Sequence, residues 1–238
     1  MSSSFSIVQP SYLENTNNII INGNLTVNGT VSNYIDTSLN SLGENTFYTF
    51  GNVNITRGWH GGILAPNGKI YSLPRTTTSV LVIDPQNNTI QTIQITGLSG
   101  STIKWTGAVL APNGKIYGIP WDSTSVLIFD PVTNTGDITT ITGLSGTSKW
   151  IGGCLAPNGK IYGMPANSSS VLIIDPVTNT VDTTTISGLG GTGKWQGCVL
   201  APNGNIYSIP YDNTSVLVIK TGLPKHPSWM LKPYFDKF

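Results

Sequence analysis

The chain has 238 residues, enough for one large core with appendages. Only 10 % are charged, against about 25 % in an ordinary globular protein, and the net charge is +1, so no electrostatic footprint for nucleic acid or an anionic membrane is expected. No apolar run approaches the ~20 residues that span a bilayer, and the opening Met-Ser-Ser-Ser-Phe-Ser-Ile-Val-Gln-Pro lacks the basic and apolar regions of a secretory signal.

Residues 1–45 read as an N-terminal arm and linker. The first 18 are polar and read as irregular. Then Ile19-Ile-Ile-Asn-Gly-Asn-Leu-Thr-Val-Asn-Gly-Thr-Val31 carries two turn signals, Asn22-Gly23 and Asn28-Gly29, with Leu25 and Val27 alternating between them. Strands this short cannot bury an apolar face alone. Either three chains supply the missing core or the stretch packs on the rest as an ordinary hairpin. Residues 32–45 are expected to form a linker.

From Trp59 the chain writes one stretch four times. The leading tryptophans are Trp59, Trp105, Trp150 and Trp195, and an Ala-Pro-Asn-Gly core begins at Ala65, Ala111, Ala156 and Ala201. The steps are therefore 45 or 46 residues, a period that means a solenoid, an array or a propeller. The third copy predicts short strands at 152–155, 160–164, 170–175 and 181–187. Pro157-Asn158-Gly159 and Asp175-Pro176 mark the turns between them. No stretch carries a 3.6-residue apolar period. Four strands in about 45 residues make one blade, so the fold class is all-β, a four-bladed β-propeller over residues 46–221.

Closure of that ring is also legible. Phe50 precedes Trp59 by nine residues, as Ile141 precedes Trp150 and Ile186 precedes Trp195. Residues 46–50 thus occupy the fourth-strand position of a blade with no first three strands, while the last copy breaks off after Ile219 without a fourth. The orphan strand would fill that vacancy and remove the open edges; alternatively it pairs with a second chain in a larger ring. The tail, residues 222–238, alternates aromatic residues, lysines and prolines. It is expected to lie across the propeller or a neighbouring chain, or else to dock another protein.

The layout Gly-x-x-Leu-Ala-Pro-Asn-Gly-Lys-Ile-Tyr followed by Ser-Val-Leu-Ile-Ile-Asp-Pro resembles the repeats of NHL and YVTN-type β-propellers, from Trp59 to about Ile219. It implies the blade and leaves function open, since such propellers serve as enzymes, lectins and scaffolds. The arm's Asn-Leu-Thr-Val-Asn-Gly resembles shaft segments of trimeric phage and virus fibres, which implies a homotrimer and structural partners joined through the arm.

Residues identical in all four copies most simply serve the blade; function specific to one blade belongs where the copies differ. After the second strand's proline stand Arg75, Trp121, Ala166 and Tyr211, and directly after the leading tryptophan stand His60, Thr106, Ile151 and Gln196. Both sets fall at the same end of a blade. Candidate ligand-binding residues are therefore Trp121, Tyr211, Arg75, Asp122, Asp212, His60 and Gln196. Aromatic rings beside carboxylates and amides suit sugars. The bland alternative is that exposed loops drift freely.

Catalytic signals are weak. The two histidines, His60 and His226, have no metal-ligand spacing, and neither a Gly-x-Ser-x-Gly elbow nor a phosphate-cradling loop is present. No catalytic residue, metal or cofactor is expected. Asp84, Asp130 and Asp175 read as strand-ending turns. Lys104, Lys149 and Lys194, each just before a tryptophan, read as surface charge, with stacking or hydrogen bonding in the loop as the alternative. Cys154 and Cys198, one residue out of register on adjacent first strands, should point to opposite sides and form no disulfide. The six Asn-x-Ser/Thr triplets carry little weight in a chain this rich in Asn and Thr. The expectation is a non-enzymatic structural or attachment protein on the surface of a virion or extracellular assembly, its head binding glycan or protein. A cytoplasmic scaffold for a protein partner and a propeller lyase or hydrolase are the alternatives.

Overall fold

A computed structural model describes residues 48–100 and 102–222. The arm segment around Leu25 and Val27 and the tail beyond Gly222 lie outside them. The repeat predicts blades, and blades are found. The first comprises β1 (Ile63–Leu64), β2 (Ile70–Ser72), β3 (Ser79–Asp84) and β4 (Thr89–Gln94). The second comprises β5 (Trp105–Leu110), β6 (Ile116–Pro120), β7 (Leu127–Asp130) and β8 (Thr135–Asp137). The third comprises β9 (Trp150–Leu155), β10 (Ile161–Pro165), β11 (Leu172–Asp175) and β12 (Thr180–Asp182). The fourth has β13 (Trp195–Leu200), β14 (Asn205–Pro210) and β15 (Leu217–Lys220). Each sheet is an antiparallel meander in sequence order. The protein is a four-bladed β-propeller.

The repeated residues account for the blade. In the third, Gly159 N–H donates to the Ala156 carbonyl at 2.9 Å and Ala156 N–H to Lys160 at 2.9 Å. Gly159 has φ 78°, which closes the β9–β10 turn. The Trp150 indole donates to the Ser170 carbonyl at 2.7 Å, tying the first strand to the start of the third; Trp59, Trp105 and Trp195 do the same to Ser79, Ser125 and Ser215. Lys160 pairs with Asp175 at 3.2 Å, as Lys69 does with Asp84 and Lys115 with Asp130.

Fourth strands are shorter than expected in the second and third blades. Asp182 accepts from the N–H groups of Thr184 and Thr185 at 2.7 and 3.0 Å, and this local turn interrupts the ladder, leaving the Ile186 carbonyl to accept from Val171 N–H at 2.9 Å beyond it.

Three apolar clusters fill the spaces between consecutive blades. Tyr71, Leu73, Val80 and Val82 of the first meet Trp105, Ile116, Leu127 and Phe129 of the second. Tyr117, Ile119, Val126 and Ile128 meet Trp150, Ile161, Leu172 and Ile174. Tyr162, Met164, Val171 and Ile173 meet Ile206 and Ile219. The blades stack face to face, and at the centre Gly107 lies on Gly152 and Gly152 on Gly197, where an added Cβ would fall 2.9 and 2.8 Å from the next Cα.

The closing strand departs from expectation. Residues 46 and 47 lie outside the described residues, 48–50 take no strand, and among the described residues nothing pairs with the free edge of β15. The segment does follow the course of a fourth strand's end. Gly51 sits where an added Cβ would fall 2.6 Å from Ile90 Cδ1 of β4, repeating the contact between Ile95 and Gly136 one blade on.

Cys154 and Cys198 form a disulfide, with Cα atoms 6.1 Å apart, contrary to expectation. Both share the cluster between the third and fourth blades. In face-to-face blades a residue pointing forward from one sheet meets a residue pointing backward from the next. The one-residue offset that separates side chains within a single sheet brings them together here.

Candidate functional site

Backbone pairing sets where the variable residues gather. Trp121 N–H donates to the Lys104 carbonyl at 2.8 Å, and the Trp121 carbonyl accepts from Lys149 N–H at 3.0 Å. In the first three blades the loop between second and third strands is therefore held between the entry of its own blade and that of the next. Arg75, Ala166 and Tyr211 make the same bond to Gly58, Lys149 and Lys194. Both variable sets thus lie at one end of the blades.

At that end Tyr211 is 68 % exposed, whereas Trp121 and Arg75 are half-buried and Ala166 is buried. His60 and Gln196 are exposed. Thr106 is buried and donates to the Trp150 carbonyl at 3.1 Å. Asp122 and Asp212 differ in their engagement. Asp122 accepts the N–H of Ser148 at 2.7 Å, the bond that Asn167 makes to Gly193 at 2.8 Å, so part of its carboxylate serves the junction between blades. Asp212 is exposed and donates its own N–H to the Gly193 carbonyl at 2.9 Å.

The lysines before each tryptophan are not surface charges. Lys104, Lys149 and Lys194 are buried. Lys149 Nζ donates to the carbonyls of Trp121, Ser123 and Gly146 at 3.0, 2.9 and 2.9 Å. Lys194 Nζ donates to Ala166, Ser168 and Gly191 at 3.0, 2.9 and 2.8 Å, and Lys104 Nζ to Thr77, Gly100 and Thr102. Loop carbonyls left without ladder partners need donors once buried, and one ammonium supplies three. Burial pushes all three lysines below the ordinary lysine value, opposed at Lys149 by the Asp122 carboxylate. From the sequence this role stands second to surface charge, although the recurrence of Lys before Trp was its signal.

Asp84, Asp130 and Asp175 cap turns as expected: Gln86, Val132 and Val177 donate their N–H groups to them at 3.0, 2.9 and 3.0 Å. At the opposite end of the blades Asn67, Lys69, Tyr71, Pro131 and Asn134 line a recess of about 350 Å³. Its Asn and Tyr recur in every copy, so it is blade architecture and not a feature of one blade. Among the described residues no group of three or more His, Cys, Asp or Glu could hold a metal.

No protein-family model matches the chain. No curated protein matches it either. Solved structures do. Virginiamycin B lyase from Staphylococcus aureus, in an inactive form with quinupristin, superposes with TM-score 0.56 at 12 % identity over 69 % of this chain and 53 % of its own. A streptogramin B lyase gives TM-score 0.56 at 13 % identity over 69 % of this chain and 52 % of its own. An auxiliary nutrient binding protein from Bacteroides ovatus gives 0.50 at 16 % identity over 68 % and 38 %. The chain spans about half the length of the lyases it matches. At these identities the likeness is one of fold.

Proposed function

We propose that the chain is a non-enzymatic attachment protein of a virion or fibre-like assembly. Its propeller is the recognition head and its N-terminal arm the link to other structural proteins. The observation that carries the reading is the half-buried Trp121, on a loop held by the Lys149 ammonium, together with the exposed Tyr211, whose N–H donates to the carbonyl of buried Lys194. A backbone held in this way loses little entropy on binding. Asp122 and Ser123, and Asp212 and Asn213, flank them with groups that take hydrogen bonds from hydroxyls. A carbohydrate fits that pairing of flat apolar ring and polar rim.

Three sets of groups that could do chemistry are engaged elsewhere. The three buried lysines hold carbonyls, the strand-ending aspartates hold turns and lysines, and the cysteines hold each other. A disulfide persists in oxidising surroundings, which favours an exposed assembly surface over the cytoplasm. A glycan array and a panel of cell surfaces probed with the full chain test the reading. Saturable binding to one glycan class supports it, and turnover in a lyase or hydrolase screen contradicts it.

A further inference from the structure

We propose that the forward face of the fourth blade docks on the first blade of a second copy of this chain, so that two chains close one ring of eight blades.

The fourth blade presents to solvent the face that every earlier blade buries. Ile209 is 54 % exposed and Val216 53 %, whereas their counterparts Ile119 and Val126 in the second blade are at 0 %. Val199 and Val218 are likewise exposed where Val109 and Ile128 are buried. Gly197 has nothing within 4 Å of an added Cβ, although Gly107 and Gly152 at the same position each lie against the next blade. The receiving face is open too. Leu64 of the first blade is exposed, and Trp59, Ile70 and Ile83 are only half-buried, where Trp105, Ile116 and Phe129 are buried. A surface of this kind on a propeller is an unfilled blade-to-blade junction.

The polar groups of that junction are present in matching halves. Asn67, Asn113 and Asn158 each donate to a carbonyl on the next blade, that of Pro131, Pro176 and Thr221. Among the described residues Asn203 of the fourth blade donates to Tyr207 of its own blade and to no carbonyl of another. The equivalent acceptor is the carbonyl of Pro85. Asp122 and Asn167 accept the N–H of Ser148 and Gly193, residues with φ of 50° and 57°. At the corresponding place Arg57 has φ 57°, and Asp212 is the corresponding acceptor, so an anionic side chain meets a cationic residue. One element is missing: Gly58 stands where the later blades carry their buried lysine. The junction to the first blade therefore lacks that ammonium, as suits a contact made between chains after folding.

Two copies are the smallest number that closes with this interface used twice about a two-fold axis, and eight blades lie within the four to eight that propellers adopt. Superposition on about half of a larger propeller fits blades that curve as part of a wider ring. Two-chain closure stands independently of any ligand at the loop end.

The native disulfide supplies the test. Cys154 and Cys198 stand four and three residues after their tryptophans; at the open junction those positions are Val199 and Gly62. The double variant Val199→Cys with Gly62→Cys, made in the full chain and oxidised, should run as a covalent dimer without reductant, while either single variant should not. A cross-link within one chain would overturn the proposal in favour of self-closure. No cross-link in a variant that melts like the parent would also overturn it, and would point to the tail or a foreign protein as the occupant. If the double variant fails to fold, Ile209→Asp keeps the question open to measurement. It should halve the sedimenting mass of the full chain, and an unchanged mass would overturn the proposal.

Discussion

Lys149 donates to the carbonyl oxygen of Trp121 twice, through its backbone N–H and through its Nζ, each at 3.0 Å. One residue thus joins the second blade to the third at the end where recognition is proposed, and Lys194 joins the third to the fourth in the same way.

Lys194→Met should therefore destabilise the propeller well beyond an ordinary surface change. It leaves the carbonyls of Ser168 and Gly191 without their donor and that of Ala166 with the backbone N–H alone, and an unsatisfied buried group costs about 1–3 kcal/mol. Partial relaxation should bring the total to about 3 kcal/mol. Urea unfolding measures it, and a change under about 0.5 kcal/mol would mean that the ammonium is not structural.

Glycine substitutions separate backbone conformation from close approach. Gly159→Ala meets a positive φ but open space, and should cost roughly 1–2 kcal/mol. Gly152→Ala meets a positive φ and the backbone of Gly197, so overpacking of about 1–3 kcal/mol adds to it. Equal losses in melting would contradict the face-to-face stacking of first strands.

The blade was legible because its repeat carries its own internal control. Residues such as Trp150, Gly159 and Ser170 recur with their spacing, and their hydrogen bonds recur with them. What stayed hidden lies between blades. The Cys154–Cys198 bridge was misjudged because alternation within a strand says nothing about which faces meet across two stacked sheets. Buried Lys149 was misjudged because a cation in a loop reads as solvated until the loop's carbonyls are counted. Topology alone placed the candidate residues Trp121 and Tyr211 at one end of the blades, and the backbone pairing has them there. Their unequal exposure follows from the fourth blade having no successor, which a comparison of copies does not reveal.

Reduction should weaken the junction between the third and fourth blades. The bridge closes a loop with a sequence separation of 44 residues. Chain-entropy arguments give roughly 3–4 kcal/mol for such a loop, or several degrees in melting. Cys154→Ala with Cys198→Ala should melt lower by a similar amount, and added reductant should leave that variant unchanged.

Acid should unfold the protein in a defined window. Partial burial pushes the Asp137 carboxyl up, but the hydroxyl and N–H groups of Thr140 and Thr139 outweigh it and hold the group down to about 2. At Asp182 the Thr185 hydroxyl and the N–H groups of Thr184 and Thr185 also hold the carboxyl well below the usual range. A folded value below the unfolded one means stability that is present above about pH 4 and lost as pH falls toward 2. Solvent screening limits the Asp137 contribution to about 1 kcal/mol. Stability should thus be flat from pH 7 to 5 and fall below 4. Asp137→Asn with Asp182→Asn should flatten that fall, and an unchanged slope would assign it to other carboxylates.

Recognition at the loop end is tested most directly by Tyr211→Ala and Trp121→Ala, singly and together, in binding to the glycan class that the full chain selects on an array. Interface aromatics often contribute more than ~2 kcal/mol, so each change should weaken binding by roughly thirty-fold. Melting should shift little for the exposed Tyr211, by less than ~0.5 kcal/mol. Binding lost at unchanged melting is the predicted result. Binding that survives both substitutions, or no glycan bound at all, would contradict a recognition site at this end of the blades.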